Sequence, residues 1–172
     1  TVNLDRQRFL LYDISKRREG FNMTIATFGQ KKEGVEYSNR YSVYAVIPNQ
    51  ENDKIILVQA PNGAWFLPGG EIEAGEDHLS ALERELIEEL GFTAKVGKYY
   101  GQADEYFYSR HRDRYFYNPA YIYEITSFEQ SQKPLEDFNQ LAWFPIDEAI
   151  EKLKRGSHKW GVEMWKMEHQ AK

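Results

Sequence analysis

Three glutamates on one predicted helix are the side chains of this sequence best suited to chemistry. Glu85, Glu88 and Glu89 are three and four residues apart, so on a helix they share one face and their carboxylates repel one another. Eight acids and a single arginine, Arg84, give the segment from Gly70 to Phe92 a net charge of −7. Oxygen ligands at this density suit a hard divalent cation such as Mg²⁺. The alternative is a solvated, Glu-rich helix face that binds no ligand.

The helix that carries these acids is predicted to run from Asp77 to Leu90. Its leucines recur at intervals of three, four and four residues and form one apolar stripe, which comprises Leu79, Leu82, Leu86 and Leu90. Asp77 is a suitable N-cap, and Gly91 follows the last turn, where a left-handed residue commonly ends a helix. The spacing therefore predicts an amphipathic helix with defined ends.

Strand signals lie on both sides of this helix. The early ones are separated by Gly and Pro residues, which implies a hairpin-rich sheet. The predicted strands are Thr24–Phe28, Tyr41–Ile47, Lys54–Ala60, a short one from Trp65 into Gly69-Gly70, Phe92–Tyr108, Tyr115–Phe128 and Leu141–Phe144. Two helices are predicted to end the chain, one closed by Gly156 and the other starting at Ser157.

The first 22 residues carry five basic side chains and no sustained periodicity. We therefore predict that residues 1–22 form an N-terminal extension and that residues 23–172 form the domain. The alternative is that residues 1–22 are an ordinary first element, which Phe9, Leu10, Leu11 and Ile14 would anchor to the core.

The acidic segment resembles the signature of the Nudix (MutT-like) hydrolases. Seven exact residues and two apolar ones match at fixed offsets, in the order Gly70, five residues, Glu76, seven residues, then Arg84-Glu85-Leu86-Ile87-Glu88-Glu89-Leu90-Gly91-Phe92. Outside this box, Trp65–Gly69 is similar to the family's strand before it, and Trp143–Glu148 is similar to the entry to its C-terminal helix. The resemblance covers roughly residues 23–155.

This resemblance implies an α/β (α+β) fold, a Nudix-type α/β/α sandwich with a mixed β-sheet and a loop-helix-loop metal platform. The implied activity is Mg²⁺- or Mn²⁺-dependent hydrolysis of a phosphoanhydride in a nucleoside diphosphate linked to another group. The implied metal ligands are Glu85, Glu88, Glu89 and the main-chain carbonyl of Gly69. Glu76 and Gly70 would support the cluster, and Arg84 would pair with a helix carboxylate rather than touch substrate.

The general base of such a reaction is less defined by the resemblance, because the family takes it from the box or from a later loop. Four acids after the box are candidates: Glu105, Glu129, Glu136 and Asp137. We favour Glu136, because it lies in a loop before the Trp143 strand that can reach the site. Each of the four is otherwise a solvated surface acid.

Substrate recognition is predicted at Arg110, Arg112 and Arg114, which form a basic cluster between two aromatic strands. Such a hairpin tip would bind phosphates, or would simply be a solvated turn. Tyr115, Tyr117, Tyr121 and Tyr123 alternate along the next strand and would either stack a base or wall the core. Family members that cleave ADP-ribose tend to have a proline at the position of Tyr108. Those that cleave diadenosine polyphosphates tend to have a tyrosine there. This favours a nucleoside triphosphate or dinucleoside polyphosphate.

The whole composition sets wider bounds on function. A chain of 172 residues with a formal charge of −5 is predicted to be one domain that is not a general nucleic-acid binder. It has no cysteine and no apolar run near the ~20 residues of a membrane helix, so we expect a soluble, cytoplasmic protein. Two alternatives remain, a nucleotide-binding sensor and an interaction module. The aromatic tail Trp160–Trp165 would serve a partner or a homodimer contact, or would pack the last helix.

Overall fold

A computed structural model describes residues 25–136 and 139–170 of the chain. The predicted extension, residues 1–22, and Asp137 lie outside the described residues. The strands are β1 (Ala26–Phe28), β2 (Tyr37–Asn39), β3 (Ser42–Val46), β4 (Lys54–Gln59), β5 (Trp65–Phe66), β6 (Gly69–Glu71), β7 (Phe92–Ser109), β8 (Arg114–Gln130) and β9 (Gln140–Pro145). The helices are α1 (His78–Leu90), α2 (Ile146–Lys152) and α3 (Gly156–Gln170).

The larger of the two sheets is mixed, as predicted. Its main path is β1-β7-β8-β3-β6, and β2 also pairs with β8. The strands β7 and β8 form a long antiparallel hairpin, whereas β1 runs parallel to β7, and β2 and β3 run parallel to β8. The strand β3 is antiparallel to its other partner, β6. The smaller sheet has the order β5-β4-β9. The prediction of a hairpin-rich sheet is therefore only partly right, because several early strands pair with segments far along the chain rather than with their sequence neighbours.

The strand β3 lies between two apolar cores. Val43 and Ala45 belong to the core under α1, while Tyr44 and Val46 belong to the core under α3. Successive side chains of a strand point to opposite faces, so a strand covered by helices on both sides has all its residues buried. All five residues of β3 are buried. The sheet is thus layered between helices, which confirms the predicted sandwich.

The helix α1 has the predicted ends. The Asp77 carboxylate accepts a hydrogen bond from the Ser80 N–H at 2.8 Å, and Gly91 adopts a left-handed conformation with φ 68°. Leu82, Leu86 and Leu90 are fully buried, but Leu79 is 47% exposed. Leu79 thus continues the predicted apolar stripe beyond the edge of the core, because spacing sets the direction of a side chain and not where along the axis the core begins to cover it.

The C-terminal helices differ from the prediction in one boundary. Gly156 begins α3 instead of closing α2, which ends at Lys152. A Cβ on Gly156 would lie 2.5 Å from the Phe28 ring, so the glycine permits close packing of α3 on β1. Trp160 and Trp165 are buried in the core, which supports the packing role of the aromatic tail. In the described part of the chain, no helix is long and apolar enough to cross a membrane.

Candidate active site

Strand β6 and helix α1 meet where the signature begins. The Gly69 N–H donates a hydrogen bond to Glu89 Oε1 at 2.7 Å. A Cβ on Gly70 would lie 2.6 Å from the carboxyl carbon of Glu85, so only a glycine leaves room for that carboxylate against the strand. The two glycines thus let the backbone of β6 approach the acids of α1.

Arg84 is the cation at the centre of the acidic cluster. Its Nη1 donates to Glu85 Oε1 at 3.0 Å and to Glu88 Oε2 at 3.2 Å, and its Nη2 donates to the carbonyl oxygen of Glu71 at 3.0 Å. The same guanidinium makes two further hydrogen bonds to Glu76. The predicted pairing of Arg84 with a helix carboxylate is therefore present, and it joins the start of the signature to the helix.

The remaining electrostatics of the cluster are unfavourable to ionised acids. Burial raises the pKa of Glu89 well above its usual range, and the neighbouring carboxylates Glu85, Glu136 and Glu88 add to this. Burial also raises the pKa of Glu85, and Arg84 partly opposes that rise. Burial and neighbouring negative charge both disfavour the ionised form of a carboxylic acid. One arginine does not balance the charge of four neighbouring carboxylates, so a further cation would stabilise their ionised forms. The four are Glu85, Glu88, Glu89 and Glu136.

The side chains suit a divalent metal by type, although they are not gathered around one point. Across residues 25–136 and 139–170, no three His, Cys, Asp or Glu side chains converge closely enough to enclose an ion. Glu85 and Glu88 are turned onto Arg84, and Glu89 is turned onto the N–H of Gly69. The donors are all oxygens, the set that Mg²⁺ and Mn²⁺ prefer. A metal would therefore compete with Arg84 for Glu85 and Glu88.

Glu136 is brought to this cluster by the loop after β8. Its backbone N–H donates to the carbonyl oxygen of Glu88 at 3.0 Å. Burial, and then the charge of Glu88, raises the pKa of the Glu136 carboxyl. By contrast, Glu105 is buried elsewhere, where it accepts a hydrogen bond from the Ser157 N–H at 2.9 Å. Glu129 is exposed on β8. Of the sequence candidates that the structure describes, Glu136 is the one beside the helix acids.

A cavity of about 280 Å³ opens next to Gly69 and Glu89. Three arginines line it: Arg40, Arg112 and Arg155. The aromatic residues of its wall are Tyr44, Phe66, Phe107 and Phe116. The wall therefore combines guanidinium groups with rings, and Glu89 connects it to the acidic cluster.

The structure separates the predicted substrate-binding residues. Arg112 belongs to the cavity wall, but Arg110, Arg114 and Tyr108 do not. Tyr108 is 44% exposed and hydrogen bonds to Asp113 in the hairpin turn, while its neighbours in β7 belong to the wall. Side chains alternate along a strand, so Tyr108 points away from the cavity.

The alternating tyrosines of β8 also lie outside the cavity wall. Tyr121 packs on His78 of α1 with ring centroids 4.1 Å apart, and Tyr123 hydrogen bonds to the same histidine at 2.9 Å. Tyr115 and Tyr117 contact further tyrosines on the outer part of the hairpin. Pro119 stays within the strand, so the predicted shared face exists, but it walls the core and the outside of the sheet.

Sequence reasoning missed Arg40 and Arg155. Arg40 lies between β2 and the buried strand β3, and Arg155 stands in the turn before α3. Each is a single basic residue without a motif around it. Their shared position in the cavity wall is visible only when β3, the β7–β8 hairpin and the start of α3 are brought together.

Comparisons with known proteins agree with this architecture. A family model described as the NUDIX domain matches residues 38–164. Diphosphoinositol polyphosphate phosphohydrolase 3-beta of Bos taurus is 26% identical over 109 residues, which are 62% of this chain and 63% of that protein. The chain thus spans less than two thirds of this curated relative's length.

Two solved structures share the fold. The E. coli ORF135 protein is 25% identical with a TM-score of 0.60, and the match covers 79% of this chain and 94% of that one. A MutT protein from Bacillus halodurans is 24% identical with a TM-score of 0.58, and the match covers 72% of this chain and 80% of that one.

Proposed function

The chain belongs to the NUDIX domain family, and we propose that it is a metal-dependent pyrophosphohydrolase. It cleaves a phosphoanhydride bond in a small polyphosphorylated substrate. Nucleoside triphosphates and dinucleoside polyphosphates are the first candidates, ahead of ADP-ribose. The observation that carries the proposal is the position of Glu89, which belongs both to the acidic cluster and to the wall of an arginine-lined cavity.

Glu85, Glu88, Glu89 and the carbonyl oxygen of Gly69 would hold Mg²⁺ or Mn²⁺. When bound, such an ion neutralises phosphate oxygens and lowers the pKa of water, which is the chemistry that phosphoanhydride hydrolysis requires. The all-oxygen donor set and the mutual repulsion of the carboxylates support this assignment. The name of the curated relative, a diphosphoinositol polyphosphate phosphohydrolase, supports the same class of substrate bond.

The chain's own residues place the substrate and move the proton. Arg84 and Glu76 hold the signature loop against α1 through their paired hydrogen bonds. Glu136 accepts the proton of the attacking water, and its raised pKa brings the carboxylate closer to the range of an effective base at neutral pH. Arg112 binds substrate phosphate from the hairpin tip.

The test is a product-release assay over nucleoside triphosphates, dinucleoside polyphosphates, nucleotide sugars and ADP-ribose, with Mg²⁺ or Mn²⁺ and with chelator. We expect metal-dependent release from at least one triphosphate or dinucleoside polyphosphate. Glu89→Gln is expected to abolish it, and Glu83→Gln, an exposed acid of the same helix, serves as the matched control. Tight nucleotide binding without release under any condition would instead indicate a sensor.

A further inference from the structure

We propose that the cavity beside Glu89 recognises a compact group of phosphates through Arg40, Arg112 and Arg155, and that it does not stack a base. Selectivity among substrates then depends on the number of phosphate groups and not on the identity of the base. This inference rests on the proposed function in one respect, that the cavity is the substrate site.

Arg155 is held ready for an anion. Its guanidinium lies over the Phe107 ring at 3.5 Å from the centroid, and its Nη1 is 3.9 Å from Glu105 Oε2. That separation is longer than the donor–acceptor distance of about 2.7–3.2 Å in a typical hydrogen bond. The ion pair therefore orients the Arg155 guanidinium without using its N–H donors in that direction. The stacking on Phe107 fixes the plane of the fork, which is the geometry that bidentate phosphate binding uses.

Arg40 and Arg112 share one weak internal partner. Glu71 Oε2 is 3.5 Å from Arg40 Nε and 3.9 Å from Arg112 Nη1. Within the described residues, Arg40 Nε is buried and has no hydrogen-bond partner. One carboxylate oxygen between two guanidinium groups supplies less charge and fewer acceptors than a phosphate would. The pair is therefore incompletely satisfied by the protein itself.

The rings of the wall are used to hold these cations. Phe107 and Phe116 face each other across the hairpin with centroids 5.6 Å apart, and the Arg112 guanidinium lies 5.7 Å from the Phe116 centroid. Tyr44 packs on the His158 ring at 4.1 Å. The Phe107 and Phe116 rings thus contact guanidinium groups in cation–π arrangements, and the His158 ring covers Tyr44. A base would have to displace these groups.

The test measures binding without turnover. Calorimetry in chelator would titrate inorganic tripolyphosphate and, separately, adenosine into the full chain. We expect tripolyphosphate to bind and adenosine not to bind. Arg40→Ala, Arg112→Ala and Arg155→Ala should each weaken tripolyphosphate binding by about tenfold or more, since each loses a charge-assisted contact. Arg110→Ala is the matched control, because Arg110 belongs to the same turn as Arg112 but lies outside the wall.

Arg155→Lys is a second variant for the case in which Arg155→Ala does not fold, because lysine keeps the positive charge but lacks the planar guanidinium. Its affinity for tripolyphosphate should lie between those of the parent protein and Arg155→Ala. Adenosine binding, or three arginine variants that match Arg110→Ala, would overturn the proposal. Arginine-dependent binding of tripolyphosphate by a protein that hydrolyses no substrate would refute the proposed function and leave this proposal standing. If hydrolysis is found, kcat/KM should be similar for ATP, GTP, CTP and UTP.

Discussion

Arg84 and Glu76 form a parallel pair of hydrogen bonds, with Nε 2.8 Å from Oε2 and Nη2 2.9 Å from Oε1. The hydrogen bonds with Arg84 lower the pKa of Glu76, so the acid stays ionised. The pair joins the turn before α1 to a residue eight positions further along, inside the helix, and keeps the remaining guanidinium nitrogen on Glu85 and Glu88.

Replacing Arg84 by lysine should lower kcat by about 100-fold, because an ammonium group cannot make the two parallel bonds and the acids lose their orientation. Steady-state kinetics on the best substrate of the release assay would measure this. Glu73→Gln is the control, since Glu73 is exposed and lies 3.8 Å from the same Nε. Full activity in Arg84→Lys would show that the paired geometry is not required.

Divalent metal should stabilise the folded protein through the acids of α1. At a free Mg²⁺ concentration about 100 times Kd, binding to the folded state alone should raise Tm by about 5–10 °C. Thermal melts of Glu88→Gln with Glu89→Gln should lose this increase, whereas Glu83→Gln should keep it. An unchanged increase in the double variant would mean that the metal binds elsewhere.

The two glycines of β6 should respond differently to alanine. Gly69 has φ 141°, and a Cβ there would overlap the carbonyl oxygen of Val43, so Gly69→Ala should lower the free energy of unfolding. A loss of about 3 kcal/mol is expected, from strain and backbone displacement. The atoms nearest to a Cβ on Gly70 belong to the flexible Glu85 carboxylate, so Gly70→Ala should mainly reduce turnover. Chemical denaturation and kinetics of both variants separate the two effects, and a Gly70→Ala protein with normal kcat would contradict this.

His158 should make the fold sensitive to acid. It is 1% exposed, and its Nδ1 accepts a hydrogen bond from the Leu67 N–H at 3.0 Å. Burial, followed by the charges of Arg155 and Arg40, holds the pKa of His158 well below its usual 6.5. Below pH 6.5, the usual pKa of histidine, His158 binds a proton in the unfolded chain but stays neutral in the folded one. Stability contributed by the neutral ring is therefore lost as pH falls below 6.5, by up to about 1.4 kcal/mol for each pH unit.

His158→Asn isolates this contribution, because its amide oxygen can accept the Leu67 N–H bond but does not titrate in this range. Denaturation between about pH 5 and 7 should show a shallower loss of stability in the variant than in the parent. Acids with raised pKa, such as Glu89 and Glu105, affect both proteins equally and cancel in the difference. Parallel stability curves for the two proteins would refute the assignment to His158.

Local sequence alone was enough to predict helix α1, its two caps and the family. Each depends on residues within four positions of one another or on fixed offsets in a single segment, so local geometry and spacing suffice. The family match over residues 38–164 confirms the resemblance that the signature predicted. The functional roles of the signature acids remain predictions that the experiments above address.

The residues that surround the cavity are identified only by the three-dimensional arrangement of the strands and helices. Arg112 lines it and Arg110 does not, because the hairpin turn sends neighbouring side chains in different directions. Arg40 and Arg155 are 115 positions apart in the chain and meet because β3 runs parallel to β8 with α3 packed on the same face. Parallel pairing joins segments that are distant in sequence, and no local pattern records which partners the sheet selects.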